Sequence, residues 1–173
     1  MKCWTSRGKD LERFQADYWA LNRQFNPVEF DPKAWAQAVK DSGIRYASLT
    51  AKHHDGFCLW DTAETDYKIT GSESPFRNDP RADLYKGFCT EFQKLGIGVS
   101  VYFSKADWHS PAYWSPGSPV TTRQANTSGT PLWSEFVRFT HAQIRELMSG
   151  YGKIDVLWLD AGWVKKERDE DLD

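Results

Sequence analysis

The chain has 173 residues, 22 Lys and Arg against 24 Asp and Glu for a net charge of −2, and 40% hydrophobic residues. That length and balance describe one folded domain with a buried core, and exclude a disordered, collagen-like or dedicated polyanion-binding chain. No run approaches the roughly 18 apolar residues of a membrane span, and no apolar leader core follows Met1-Lys2-Cys3-Trp4. A soluble chain with no signal peptide and no nucleic-acid or membrane partner is expected.

Leu11 to Leu21 carries Leu11, Phe14, Tyr18 and Leu21 at helical spacing and stops before Asn26-Pro27. Asp31-Pro32 then opens the sharpest helix, an N-cap acid followed by a proline whose missing N–H is not needed at that position. It runs to about Ser42, Gly43 ends it, and 44–50 reads as a strand. The same order recurs twice: helix 84–95, Gly96, strand 97–103; then helix 132–148, Gly150 and Gly152, strand 154–159. The stops at Gly43, Gly96 and Gly150 are 53 and 54 residues apart. This is a βα period, in which each helix packs on a mostly buried parallel strand.

Two long segments, 61–81 and 105–130, are rich in Ser, Thr, Pro, Gly and Asn and follow strand ends, the face where α/β folds place their sites. The charged run 165–173 reads as a solvated end. Three parallel strands leave two open edges, so the chain reads as a piece of a larger assembly. Cys3, Cys58 and Cys89 are too far apart for a disulfide framework or a zinc ribbon, and reduced thiols are expected. Nine Trp, seven Tyr and ten Phe imply either a bulky core or a cleft lined by flat apolar faces, which suits sugars.

Each strand exit delivers polar groups. After the first come Lys52-His53-His54-Asp55-Gly56-Phe57; adjacent histidines face opposite ways and chelate poorly, so a metal would need His109, Asp107 or Asp160 as distant partners. Hydroxyl binding in a polar cleft and structural hydrogen bonding are the other readings, and no metal is assigned. After the second strand come Asp107, Trp108 and His109, read as a rim or as a turn in which Asp107 caps the next segment. The third ends in Leu159-Asp160-Ala161-Gly162-Trp163. A carboxylate at that exit is costly unless used or paired, and it fits the nucleophile of a glycosidase by position, with an N-cap as the alternative.

These blocks resemble the family 29 glycoside hydrolases, the α-L-fucosidases. The likeness rests on Phe25-Asn26-Pro27, on 50–57 with Trp60-Asp61 and Thr65-Asp66-Tyr67, on Tyr102-Phe103-Ser104 with Asp107-Trp108, and on Trp158-Leu159-Asp160. It implies an α/β fold, part of a (β/α)8 (TIM) barrel of about three to four βα units, acting on α-L-fucosides with retention and needing no cofactor. It implies Asp160 as nucleophile, His53 and His54 as partners of fucose hydroxyls, and Tyr102, Trp158 and Trp60 around the sugar. The family's opening His-Trp-Gly strand and its second-half acid/base are not matched. Asp107, with Glu64 and Glu135, is the weak stand-in for the acid, and a homo-oligomer is expected to close the barrel. A fucose-binding fragment without turnover and a metal-dependent hydrolase on His53, His54 and Asp160 are the competing readings.

Overall fold

The structure, a computed structural model, describes residues 10–117, 126 and 130–161. Its elements in chain order are α1 (Leu11–Trp19), a short 3-10 turn (Ala20–Arg23), α2 (Pro32–Asp41), β1 (Tyr46–Lys52), α3 (Leu84–Lys94), β2 (Gly98–Ser104), a second 3-10 turn (Pro111–Tyr113), α4 (Pro131–Gly150) and β3 (Val156–Asp160). The strands form one parallel sheet in the order β1-β2-β3, with helices as the crossovers.

Every major helix starts on a side-chain cap. Asp10, Asp31, Asp83 and Thr130 each accept a hydrogen bond from the backbone N–H three residues on, and Pro occupies the first turn of α2 and α4. The C-terminal ends explain where the strands begin. Gly43 (φ +72°) donates to Lys40 O and Ile44 to Val39 O; Gly96 (φ +69°) donates to Gln93 O and Ile97 to Phe92 O. Both are Schellman closures, and they take the N–H groups of Ile44 and Ile97 away from the sheet. Pairing therefore starts at Tyr46 and Gly98, one to two residues later than the apolar pattern alone suggests. In the third unit Gly150 stays inside α4, and Gly152 (φ +75°) takes the left-handed turn instead.

One face of the sheet is packed. Val99, Val101 and Phe103 of β2 join Ala51, Tyr85, Phe88, Phe92 and Leu147 in the main core under the helices. The other face is open: Tyr46, Val156 and Trp158 are 68, 48 and 58% exposed. Segment 61–81 is anchored despite its polar composition, since Ile69 and Phe76 are buried with Phe30, Ala82 and Leu84 in a satellite core. Cys58 and Cys89 are buried free thiols; Cys3, Gly162, Trp163 and the 165–173 run lie outside the described residues. Among the described residues no helix is long and apolar enough to cross a membrane.

Candidate active site

Strand alternation puts Thr50, Tyr102 and Trp158 on the open face, and the register aligns them in one row: Thr50 opposite Tyr102, Tyr102 opposite Trp158. The Tyr102 and Trp158 rings meet edge to face, 5.5 Å between centroids. One row further on, Ser104 stands opposite Asp160, and the Tyr102 hydroxyl donates a hydrogen bond to Asp160 Oδ2.

Between Thr50 and Lys52 the β1–β2 register shifts, so that Lys52 pairs with Phe103 rather than with Ser104. The extra residue, Ala51, makes a bulge that turns Lys52 onto the packed face. Alternation then carries His53 onto the open side, where its ring stacks on Tyr102 with centroids 5.8 Å apart and planes 9° apart. His54 lies 3.8 Å from His53 and 4.0 Å from the Trp108 ring, centroid to centroid. Trp108 N donates to His54 O at 2.7 Å, joining the loops that leave β1 and β2.

The electrostatics separate the groups. Asp160 is held below the usual carboxylate range, chiefly by the Tyr102 hydroxyl, then by the Ala161 N–H and by His53 and His54. Tyr102 is pushed up to about 12, first by burial and then by Asp160, so it stays a donor. His54 is pulled down to about 4 by burial and by the neighbouring His53, against the pull of Asp160. Ala161, directly after Asp160, has φ +70° and is fully buried, a strained conformation for a residue with a Cβ.

Five of the seven site residues read from the sequence thus converge on one rim: His53, His54, Tyr102, Trp158 and Asp160. Two do not. Trp60 is fully buried in the main core, its Nε1 donating to Glu146 Oε2 of α4 at 2.9 Å and its ring 6.4 Å from Phe103. Asp107 is 2% exposed; Oδ2 accepts from Lys52 Nζ at 3.0 Å, and Oδ1 accepts from the His109 and Ser110 N–H groups at 3.1 and 2.9 Å. Both oxygens are occupied, so it takes the turn-capping role rather than that of a proton donor. Glu64 pairs with Arg138 at 3.2 Å, and with Glu135 it lines a separate cavity of about 230 Å³. Among the described residues no group of three or more His, Cys, Asp or Glu is arranged to hold a metal ion.

The alpha-L-fucosidase family profile matches residues 7–173. The chain belongs to the alpha-L-fucosidase family. "Alpha-L-fucosidase 1" of Arabidopsis thaliana is 35% identical over 145 residues, 84% of this chain and 25% of the relative. An alpha-L-fucosidase of Bacteroides thetaiotaomicron, solved as a trapped covalent intermediate in complex with 2-fluoro-fucosyl fluoride, superposes with a TM-score of 0.72 at 31% identity, covering 87% of this chain and 31% of that one. The alpha-L-fucosidase AlfC of Lactobacillus casei, in complex with its α-L-fucose product, gives 0.70 at 29% identity over 88% and 49%. This family member therefore spans about a quarter of the first curated relative and a third to a half of the solved ones.

The sequence alone does not single out Lys52, Gln143 or Ala161. The one signal for Lys52 was its place beside the two histidines; nothing local marks Gln143, which reaches Lys52 from 91 residues away.

Proposed function

We propose that the chain is a retaining glycoside hydrolase that removes terminal α-L-fucose from fucosylated glycans, with Asp160 as nucleophile. The observation that carries this reading is the Tyr102–Asp160 pair on the open rim of the sheet: an ionised carboxylate, held by a hydroxyl donor, beside two imidazoles and an exposed indole. An ionised oxygen is what attack on an anomeric carbon requires. Asp160 Oδ forms a bond to C1 as the C1–O bond of the leaving group breaks, and the departing oxygen keeps the electron pair. Water then attacks C1 and gives up a proton to solvent as the carboxylate leaves, the departed oxygen having taken one from solvent, and two inversions give retention. His53 and His54 hydrogen-bond sugar hydroxyls in this scheme, His54 remaining neutral and so able both to donate and to accept. Trp158 and Tyr102 supply the apolar wall.

The three strands are read as part of a (β/α)8 barrel, and the open face as the surface that further strands, from a homo-oligomer, would cover. Asp107 is not the acid in this scheme, for the reason given by its geometry. A fucose-binding chain without turnover is the second reading, favoured by Asp107, Glu64 and Glu135 each being engaged or set elsewhere. Release of nitrophenol from an aryl α-L-fucoside, whose leaving group needs little acid help, separates the two. The hydrolase reading expects turnover that falls at least about 1,000-fold in Asp160→Asn, on the order of 4 kcal/mol in barrier; binding of fucose with no turnover by the folded wild type would favour the second.

A further inference from the structure

Behind the rim lies a buried polar cluster to which the catalytic scheme gives no task. Lys52 has no exposed surface, yet it forms an ion pair in the interior. Its Nζ donates to Asp107 Oδ2 at 3.0 Å and to Gln143 Oε1 of α4 at 2.8 Å, and it lies 4.4 Å from the centre of the Phe103 ring. Burying such a pair gains little over packed apolar side chains of the same volume, so fold stability alone is a poor reason for it. Each partner is one or a few residues from a group on the rim. Lys52 immediately precedes His53. Asp107 immediately precedes Trp108, whose N–H holds His54 O and whose ring packs on the His54 imidazole. Gly56, at the far side of the histidine turn, has φ +90°, and a Cβ there would lie 2.5 Å from Asp107 Oδ1. The turn thus closes against Asp107 with no side chain between.

We propose that Lys52 and Asp107 are positioning residues: their buried ion pair ties the loop leaving β1 to the loop leaving β2, and so fixes His53 and His54 beside the Tyr102–Asp160 pair. The bulge at Ala51 is the device that allows this. It sends Lys52 into the packed layer while its neighbour His53 goes to the open one, so the charge pair and the sugar-facing imidazoles are consecutive in the chain but on opposite sides of the sheet. The pair acts through the histidines and touches no substrate. Its effect on turnover rests on the fucosidase reading above; its effect on the loop does not.

The test compares wild type with Lys52→Met, Asp107→Asn and the double variant. Each single change leaves one charge or one polar site unpaired in the interior, whereas the double removes both charges and keeps an oxygen to cap His109 and Ser110. Two sets of readings are taken on each protein that unfolds cooperatively: the His54 imidazole titration and Trp108 amide exchange by NMR, and kcat and KM on an aryl α-L-fucoside. We expect the folded double variant to exchange the Trp108 amide at least about tenfold faster. His54 should titrate closer to its ordinary value, and KM should rise about tenfold with kcat changed by less than about threefold, the pattern for lost sugar binding. Unchanged Trp108 exchange and His54 titration in the folded double variant would overturn the proposal, and so would a loosened loop with unaltered KM. A loosened loop in a protein whose wild type turns over no fucoside would support the tie and contradict the fucosidase reading instead.

Discussion

At the scale of single residues, the proposed chemistry rests on Tyr102 and Asp160. Because the Tyr102 hydroxyl is the largest influence lowering the Asp160 carboxyl, Tyr102→Phe is expected to raise it. The acid limb of kcat/KM for an aryl fucoside should therefore move to higher pH, and a limb that stays put would show that Asp160 does not control it. His54 makes a second prediction. Its folded value of about 4 lies below the roughly 6.5 of an unfolded histidine. Between those values the unfolded chain binds more protons, so this contribution to stability is present above about pH 6.5 and is lost as pH falls toward 4. Urea midpoints at pH 7 and 4.5 should differ less in His54→Gln than in wild type. The placement of the two histidines and Asp160 on one rim was legible in the sequence because all three stand at strand exits. Trp60 was not, since an indole beside a motif looks the same whether it turns to the rim or, as here, to Glu146 and the core.

Among the elements, the helix caps were the most readable, because Asp31-Pro32 and Gly43 act through their own backbone neighbourhood. Asp31→Ala is expected to destabilise the protein by about 1 kcal/mol through loss of the Ala34 N–H contact, measured by urea unfolding. The strands start later than their apolar pattern for a local reason too: the Schellman closures consume the N–H groups of Ile44 and Ile97, and hydrophobicity does not report hydrogen bonding. The bulge and the Lys52–Asp107–Gln143 cluster were illegible, since the bulge depends on how β1 pairs with β2 and the cluster on contacts across 55 and 91 residues. Removing one member of a buried pair strands the other, so Lys52→Met should cost about 3 to 5 kcal/mol and the double change with Asp107→Asn markedly less. Equal losses in single and double variants, read from the same denaturant curves, would mean that the pair is not coupled.

For the whole molecule, the contrast between the two faces of the sheet matters most. The helix-covered side is closed by Phe88, Phe92, Val99 and Phe103, while Tyr46, Val156 and Trp158 face outward, an apolar exposure that soluble proteins usually cover. Closure by further copies predicts a mass above one chain in light scattering, and Trp158→Glu is expected to shift that mass toward the monomer; a monomeric wild type would rule out closure by copies of this chain. The period of helix, glycine and strand made the βα order legible, but how many strands the proposed barrel would hold leaves no mark on any one unit. The central claim is that Asp160 forms a bond to the sugar, and its most direct test needs no acid catalyst. The protein is incubated with 2-fluoro-fucosyl fluoride, whose fluoride departs readily, and its intact mass and peptide map are recorded. The account predicts one fluoro-fucosyl adduct on the peptide containing Asp160, absent from folded Asp160→Asn. No adduct on the folded wild type, or an adduct on another residue, would contradict it.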